Sequence, residues 1–216
     1  MYLTIHCLDR VPPADPGLGD WADDVSAVLD RAGERASEGA GDPVARWVGV
    51  QAGSSRGTLI SLWDAEQQAT SAARTEGSTP TRITLSPTSA MRVLNIDLGP
   101  DGDQLPAVVQ LAVFDGPRGA VQTAADRIAD QRIALAVQEV PGYCGALVAL
   151  AADGGYAVVV LARSAQALAE GRSRLTGAPL RPDEDPALLT GPDRTEQHDL
   201  VRTGRPLSAL VAGGVR

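Results

Sequence analysis

The sequence predicts an α+β protein: two successive βαββαβ units with antiparallel sheets. Three observations carry this. Short runs rich in Val, Ile and Leu alternate with longer stretches whose apolar residues recur at helical spacing. The order of these segments is the same in the two halves of the 216-residue chain. Equivalent points lie at similar offsets: Ile5 to Gln110 and Asn95 to Leu200 are 105 residues apart, and Leu62 to Leu161 is 99.

The first half opens with a strand, Tyr2–Leu8, and a loop from Pro12 to Gly19. Near Asp20 a helix begins whose Trp21, Val25, Val28, Leu29, Ala32 and Ala36 fall on one stripe, with Asp23, Asp24, Asp30 and Glu34 on the wet side. Gly39 to Pro43 ends it. Ala45–Ala52 and Gly57–Trp63 read as a hairpin about the turn Gly53–Arg56, and Asp64 as the cap of a helix over Ala65–Arg74. A polar loop, Gly77 to Pro87, leads to the strand Arg92–Leu98.

Gly99 to Gln104 has the composition of a linker, so the expected organisation is unit 1 over 1–99, a linker over 100–106 and unit 2 over 107–216. The second half repeats the plan. Ala107–Phe114 is a strand, Gly116–Pro117 breaks it, and Arg118 to about Val140 is a helix stopped by Pro141–Gly142. Tyr143–Ala151 and Tyr156–Ala162 form a hairpin around Asp153-Gly154-Gly155. Ser164 caps a helix over Ala165–Leu175, a proline-rich excursion runs from Pro179 to Pro192, and Glu196–Thr203 is the last strand.

A βαββαβ unit is the ferredoxin-like plan, with both helices on one face of a four-stranded sheet. The other face needs cover. Tyr143–Ala151 is apolar on both sides, which fits burial on both. Two such sheets packed together make an α+β barrel, and a fused chain builds within itself what a single-unit protein builds by dimerising. A homodimer of the fused chain is compatible with this plan.

Composition narrows the function classes. With 27 acidic against 19 basic residues and no basic run, the chain lacks the footprint of a nucleic-acid binder. No apolar run approaches the ~20 residues of a membrane span, and Met1–Leu8 has no signal-peptide character, so a cytoplasmic protein is expected. Cys7 and Cys144, the only cysteines, read as buried reduced thiols. Two histidines without metal-ligand spacing argue against a metal site, and no glycine pattern cradles a phosphate.

Aromatics are few, so each one marks something. Trp63 ends a strand and shares a face with Leu59 and Ser61 by alternation; it either plugs the core or walls a pocket. His6 shares a face with Tyr2, Thr4 and Leu8, and a histidine there suits a base acting on a phenol. Trp47 and Gln51 lie on one face of their strand, and Asn95 and Asp97 on one face of theirs; Trp47, Gln51, Ser61 and Asn95 are candidate substrate contacts. His198 reads as an exposed edge histidine, Trp21 as core, and Arg118 as a solvated cation.

The strand-to-helix stretch Leu59–Ala69, with Trp63-Asp64-Ala65-Glu66 at its centre, and the bend Val140-Pro141-Gly142-Tyr143 resemble the dimeric α+β barrel superfamily, within it the antibiotic-biosynthesis-monooxygenase-like proteins. The resemblance covers nearly the whole chain in element order, as a tandem duplication. It implies a cofactor-independent monooxygenase acting on a hydrophobic aromatic or polyketide-like small molecule, with Trp63 in a catalytic role; His6, read above as a base, is the second catalytic candidate. It also implies that no metal, flavin or haem takes part. The alternative it leaves is a non-catalytic ligand-binding or stress-type barrel. In the anthrone-oxidising branch an Asn precedes the Trp by four residues; here that residue is Leu59. The second half has Ala162 where the first has Trp63.

Overall fold

Both halves of the chain build the same ladder. A computed structural model describes residues 1–10, 42–74, 77–78, 83–85, 88–117 and 120–212. The loop expected from Pro12, the helix expected around Trp21, and Arg118 lie outside the described residues.

The strands are β1 (Tyr2–Arg10), β2 (Ala45–Val50), β3 (Arg56–Trp63), β4 (Gly77–Ser78), β5 (Ile83–Leu85), β6 (Met91–Leu98), β7 (Val108–Phe114), β8 (Tyr143–Ala151), β9 (Tyr156–Ala162) and β10 (Arg194–Arg202). Among the described residues the helices are α1 (Glu66–Ala73), α2 (Ala120–Val137), α3 (Ala165–Gly177) and α4 (Leu207–Ala212), with a 3₁₀ turn at Pro186–Leu188. The described residues form two compact units. One takes residues from Met1–Val93 and His198–Arg205; the other takes Leu94–Gln197 and the segment from Pro206. Strands β6 and β10 therefore each contribute to both units.

In the first unit the strand order is β2-β3-β1-β6, and the C-terminal part of β10 lies beside β2. β3 runs antiparallel to β1 from Tyr2↔Trp63 to Asp9↔Arg56, and to β2 from Ala45↔Leu62 to Val50↔Gly57. The β2–β3 turn closes with Gln51 N donating to Arg56 O at 3.0 Å, and Gly53 takes φ +69° there, where a side chain would be strained. The segment expected as a polar loop instead holds the short hairpin β4–β5, which pairs with the end of β1 at Leu8↔Leu85. Strands of two and three residues carry no readable period, which is why alternation did not show them.

In the second unit the order is β8-β9-β7-β10, with β6 beside β8. Numbered from the start of each half, both ladders read 4-1-3-2, the ferredoxin-like order. The fold class is α+β as predicted. Between Tyr143 and Gly145 the β8–β9 register shifts, a bulge at Cys144. Gly145 fits there because a Cβ would collide with the Asp97 carbonyl. The helices pack α3 on α2, and Val137, Val140, Ala167 and Leu168 join Val108, Tyr143, Ala146 and Ala162 in one apolar cluster on one face of the sheet. Val109, Leu147, Val159 and Leu161, on the alternate face, are buried too, so β8 and β9 are enclosed on both sides.

Two caps show how local chemistry sets element ends. Ser164 accepts from Ala167 N at 3.1 Å and starts α3 as expected. Asp64 does not cap α1. Ala65 takes the extended N-cap conformation, its N–H donates to Gln68 Oε1 at 3.3 Å, and Asp64 is left outside, exposed. Helix α4, without counterpart in the sequence reading, buries Leu207 and Leu210 and donates Ser208 N to Gly102 O at 2.9 Å.

Candidate functional site

Register settles which side chains of the first unit meet. Directly opposed residues of an antiparallel pair share a face. On one face β1 presents Tyr2, Thr4, His6 and Leu8, β3 presents Trp63, Ser61, Leu59 and Gly57, and β2 presents Arg46, Val48 and Val50. Three cross-strand rows follow: Tyr2–Trp63, Thr4–Ser61–Arg46 and His6–Leu59–Val48. The face is polar yet shielded: Thr4 is 0 % exposed, Ser61 2 %, Trp63 3 % and His6 4 %.

Trp63 is locked by a hydrogen bond. Its indole Nε1 donates to Thr4 Oγ1 at 3.1 Å, both groups buried. The contact is diagonal, one row apart on one face, within reach of a long aromatic side chain. Enclosing an indole removes ~150–250 Å² from water, worth at most about 4–6 kcal/mol. The hydroxyl spares the N–H the penalty of an unmet buried donor. α1 starts right after Trp63, packs on β1 and β3, and turns Ala69 and Ala73 inward. At its start Glu66 Oε2 accepts from the Tyr2 hydroxyl at 3.1 Å, and that hydrogen bond is the main reason the Tyr2 pKa is raised. A shallow groove lined by Glu66, Gln67, Thr70, Ser71 and Arg74 belongs to α1 alone.

The six residues expected at a site do not all meet. Trp63, Ser61 and His6 share the face just described. Trp47 pairs with Ile60, so it stands on the other face of β2; it is fully enclosed and its Nε1 finds no partner among the described residues. Gln51 is exposed at the hairpin turn. Asn95 belongs to the second unit, is exposed, and donates to Asp97 Oδ1 at 2.8 Å. Burial raises the Asp97 pKa against the pull of that hydrogen bond. His198, expected at an exposed edge, is 2 % exposed, because β10 has β2 as a neighbour and is no free edge. Cys7 and Cys144 form no disulfide with each other; Cys7 is half-buried rather than buried as expected, and burial pushes Cys144 up to about 11, so it stays protonated at neutral pH.

Two residues of the face escaped the sequence reading. Thr4 was placed beside His6, but its bond to Trp63 depends on the β1–β3 register. Arg46 was hidden by its neighbour Trp47: alternation assigns the two to opposite faces, and only the β2–β3 register shows Arg46 opposite Ser61.

Chemically, the face offers an indole wall, a hydroxyl row, an imidazole and a guanidinium. Among the described residues no three His, Cys, Asp or Glu side chains gather to hold a metal ion, and no helix is long and apolar enough to cross a membrane.

No family model and no curated protein matches the chain. Solved structures do. An anthrone oxidase-like protein is 14 % identical with a TM-score of 0.57, over 94 % of this chain and 92 % of its own. A monooxygenase candidate of Fusobacterium nucleatum is 7 % identical with a TM-score of 0.57, over 94 % of each chain. Another from Lactobacillus acidophilus is 9 % identical with a TM-score of 0.55, over 96 % of this chain and 97 % of its own. At such identities the likeness is one of fold: these neighbours are monooxygenase-like proteins of the α+β barrel fold.

Proposed function

We propose that the protein is a cofactor-independent monooxygenase-like enzyme acting on an aromatic or polyketide-like small molecule, with its site on the Trp63 face of the first unit. The observation that carries the reading is the buried polar group Thr4, His6, Ser61 and Trp63 on one sheet face. A sheet face packed for stability alone needs no such group, and buried polar side chains on a shared surface are a common mark of a binding site. The fold of the neighbours supports the reaction class.

The chemistry asks little of the protein beyond placement. An electron-rich substrate of the anthrone type, once deprotonated, reduces dioxygen directly. One oxygen atom replaces the two hydrogens of the reacting methylene and the other leaves as water, so the substrate supplies all four electrons. His6 takes the proton, the Trp63 indole flanks the ring system, and Ser61 and Thr4 offer hydroxyls to a substrate oxygen. Trp47 stands on the other face of β2 and Gln51 at the exposed hairpin turn, so neither takes part in the step. The reading also takes 1–99 and 107–216 as copies of one ancestral unit joined at 100–106. The matching 4-1-3-2 ladders support that duplication.

The test is oxygen uptake by the purified chain with several anthrones in air, monitored with quinone formation. Uptake that tracks protein concentration and persists after chelation is expected. Uptake at the buffer rate for every anthrone overturns the reading.

A further inference from the structure

We infer that Thr4 selects the ligand of the Trp63 face: the indole commits its hydroxyl to donating, so the face takes a tricycle that brings a ring carbonyl oxygen and rejects one that lacks it. The inference deepens the function proposed above and rests on its reading of that face as an aromatic site.

Three observations carry it. The first is direction. An indole N–H only donates, so in the 3.1 Å bond from Trp63 Nε1 the Thr4 oxygen is the acceptor and its own hydrogen must go elsewhere. The second is enclosure. Thr4 is 0 % exposed, and among the described residues its side chain makes no hydrogen bond besides that one. A buried donor without an acceptor is costly, so this hydrogen suits an acceptor that a ligand supplies. The third is position. Thr4 stands one row from Trp63 on the same face and directly opposite Ser61, which is buried too. A ring lying along the indole has its substituents within reach of that hydroxyl.

Hydrogen-bond chemistry then sets the ligand class. A hydroxyl that accepts from an N–H is polarised into a better donor. The branched Cβ restricts χ1 and the indole bond holds the rotamer, so the hydrogen swings only about the C–O bond. A ring ketone meets it with a lone pair. A methylene in the same place leaves it unmet, and an unmet buried donor is what makes a polar site reject an analogue. The ketone of an anthrone is such an oxygen. In the step above the methylene proton goes to His6, and the electron pair left behind spreads onto this oxygen. The charge it gains strengthens the bond from Thr4.

The test uses the full chain and a matched pair: fluorenone, whose ring carbonyl is its only polar group and which has no methylene to oxidise, and fluorene, which lacks the carbonyl. Affinities are measured by equilibrium dialysis. The readout is the ratio of the two dissociation constants, since a hydroxyl that only braced the indole would change both affinities alike. Thr4→Val, which exchanges the hydroxyl for a methyl of similar size, should shift that ratio against the ketone at least ~10-fold, while Thr4→Ser keeps it within ~3-fold. Trp63→Phe should shift it the same way by a smaller factor, because the hydroxyl stays and loses its polarising partner. If Thr4→Val does not fold, as judged by circular dichroism, Thr4→Ala is read in its place. A ratio that loss of the hydroxyl or of the indole leaves unmoved, or that Thr4→Ser moves as far as Thr4→Val, overturns the inference; oxygen uptake on anthrones by the wild type then leaves the oxygenase standing without it. If neither compound binds the wild type, the aromatic site itself is lost, and the role of Thr4 with it. A ratio that depends on Thr4, without oxygen uptake on anthrones, keeps Thr4 and discards the oxygenase.

Discussion

β3 ends in Trp63 and β9 ends in Ala162, and each is followed at once by a helix. The two positions are equivalent in the ladder, and the faces they belong to were put to different uses. Around Ala162 the second unit packs Val108, Val137, Val140, Tyr143, Ala146, Ala167 and Leu168 into an apolar cluster. Around Trp63 the first unit places Thr4, His6, Ser61 and Arg46 on the sheet. Several of the second unit's polar bonds lie away from that cluster. Arg132 Nε donates to both oxygens of Glu184 at 2.8 and 3.0 Å, Arg181 N donates to Glu184 at 2.6 Å, and Gln122 Nε2 donates to Leu188 O at 2.6 Å. These bonds tie the proline-rich segment to α2; on the sheet face itself Gln110, two residues from Val108, accepts from Arg172 Nη2 at 2.6 Å beside the apolar cluster. One plan thus yields a stability face and a polar face, and the difference lies in side chains rather than in backbone order.

The sharpest way to break the comparison is to exchange its two markers. Trp63→Ala should cost about 3–5 kcal/mol in urea unfolding, since it empties the space of a buried indole and strands the Thr4 hydroxyl. Ala162→Trp should cost about 1–3 kcal/mol, the usual penalty of overfilling a packed core, and should create no affinity for aromatic ligands. Gain of binding in that variant would show that the second face had kept a usable cavity.

Trp63→Phe sharpens the same contrast at smaller cost. It keeps most of the packing and removes the N–H donated to Thr4, so stability should fall by about 1–2 kcal/mol while oxygen uptake on anthrones drops at least tenfold. A loss of stability as large as that of Trp63→Ala, with turnover intact, would make the indole a plug and nothing more.

The smallest expected effect concerns the outer bonds of the second unit. Burial works to raise the Glu184 pKa, but the hydrogen bonds from Arg132 and Arg181 outweigh it and hold the carboxyl below its ordinary 4.5. A lowered folded-state pKa adds stability that is fully present above 4.5 and fades as pH falls through the folded value. Urea midpoints measured from pH 7 down to pH 3 should therefore fall, and Glu184→Gln should flatten that acid limb. An unchanged slope in the variant would show that the pair does not tie down the segment.

How much of this was legible in the sequence depended on signal length. Tyr143–Ala151 and Tyr156–Ala162 carry seven or more apolar residues bounded by turn glycines, and their predicted bounds match the observed ones. Ser164 was readable as a cap because a capping hydroxyl acts within three residues of itself. β4, β5 and the six-residue α4 were not, since they are held by partners distant in sequence: β5 by β1, and α4 by Gly102 and by Gly145, against which Leu207 packs. Asp64 looked like a cap by type, and the backbone placed the cap one residue later.

At the candidate site the division is the same. Sequence alone determined that Trp63 ends a strand, that Ser61 and Leu59 share its face, and that His6 lies with Thr4 on another strand, because alternation is a property of one strand. Tertiary structure decided that these two sets face each other, that Thr4 holds the indole, and that Arg46 joins the row while Trp47 turns away. The first two facts belong to the β1–β3 register, between residues 47 to 61 apart, and the third to the β2–β3 register, between residues 7 to 17 apart; register is set by hydrogen-bond pairing across strands, which alternation within one strand does not encode.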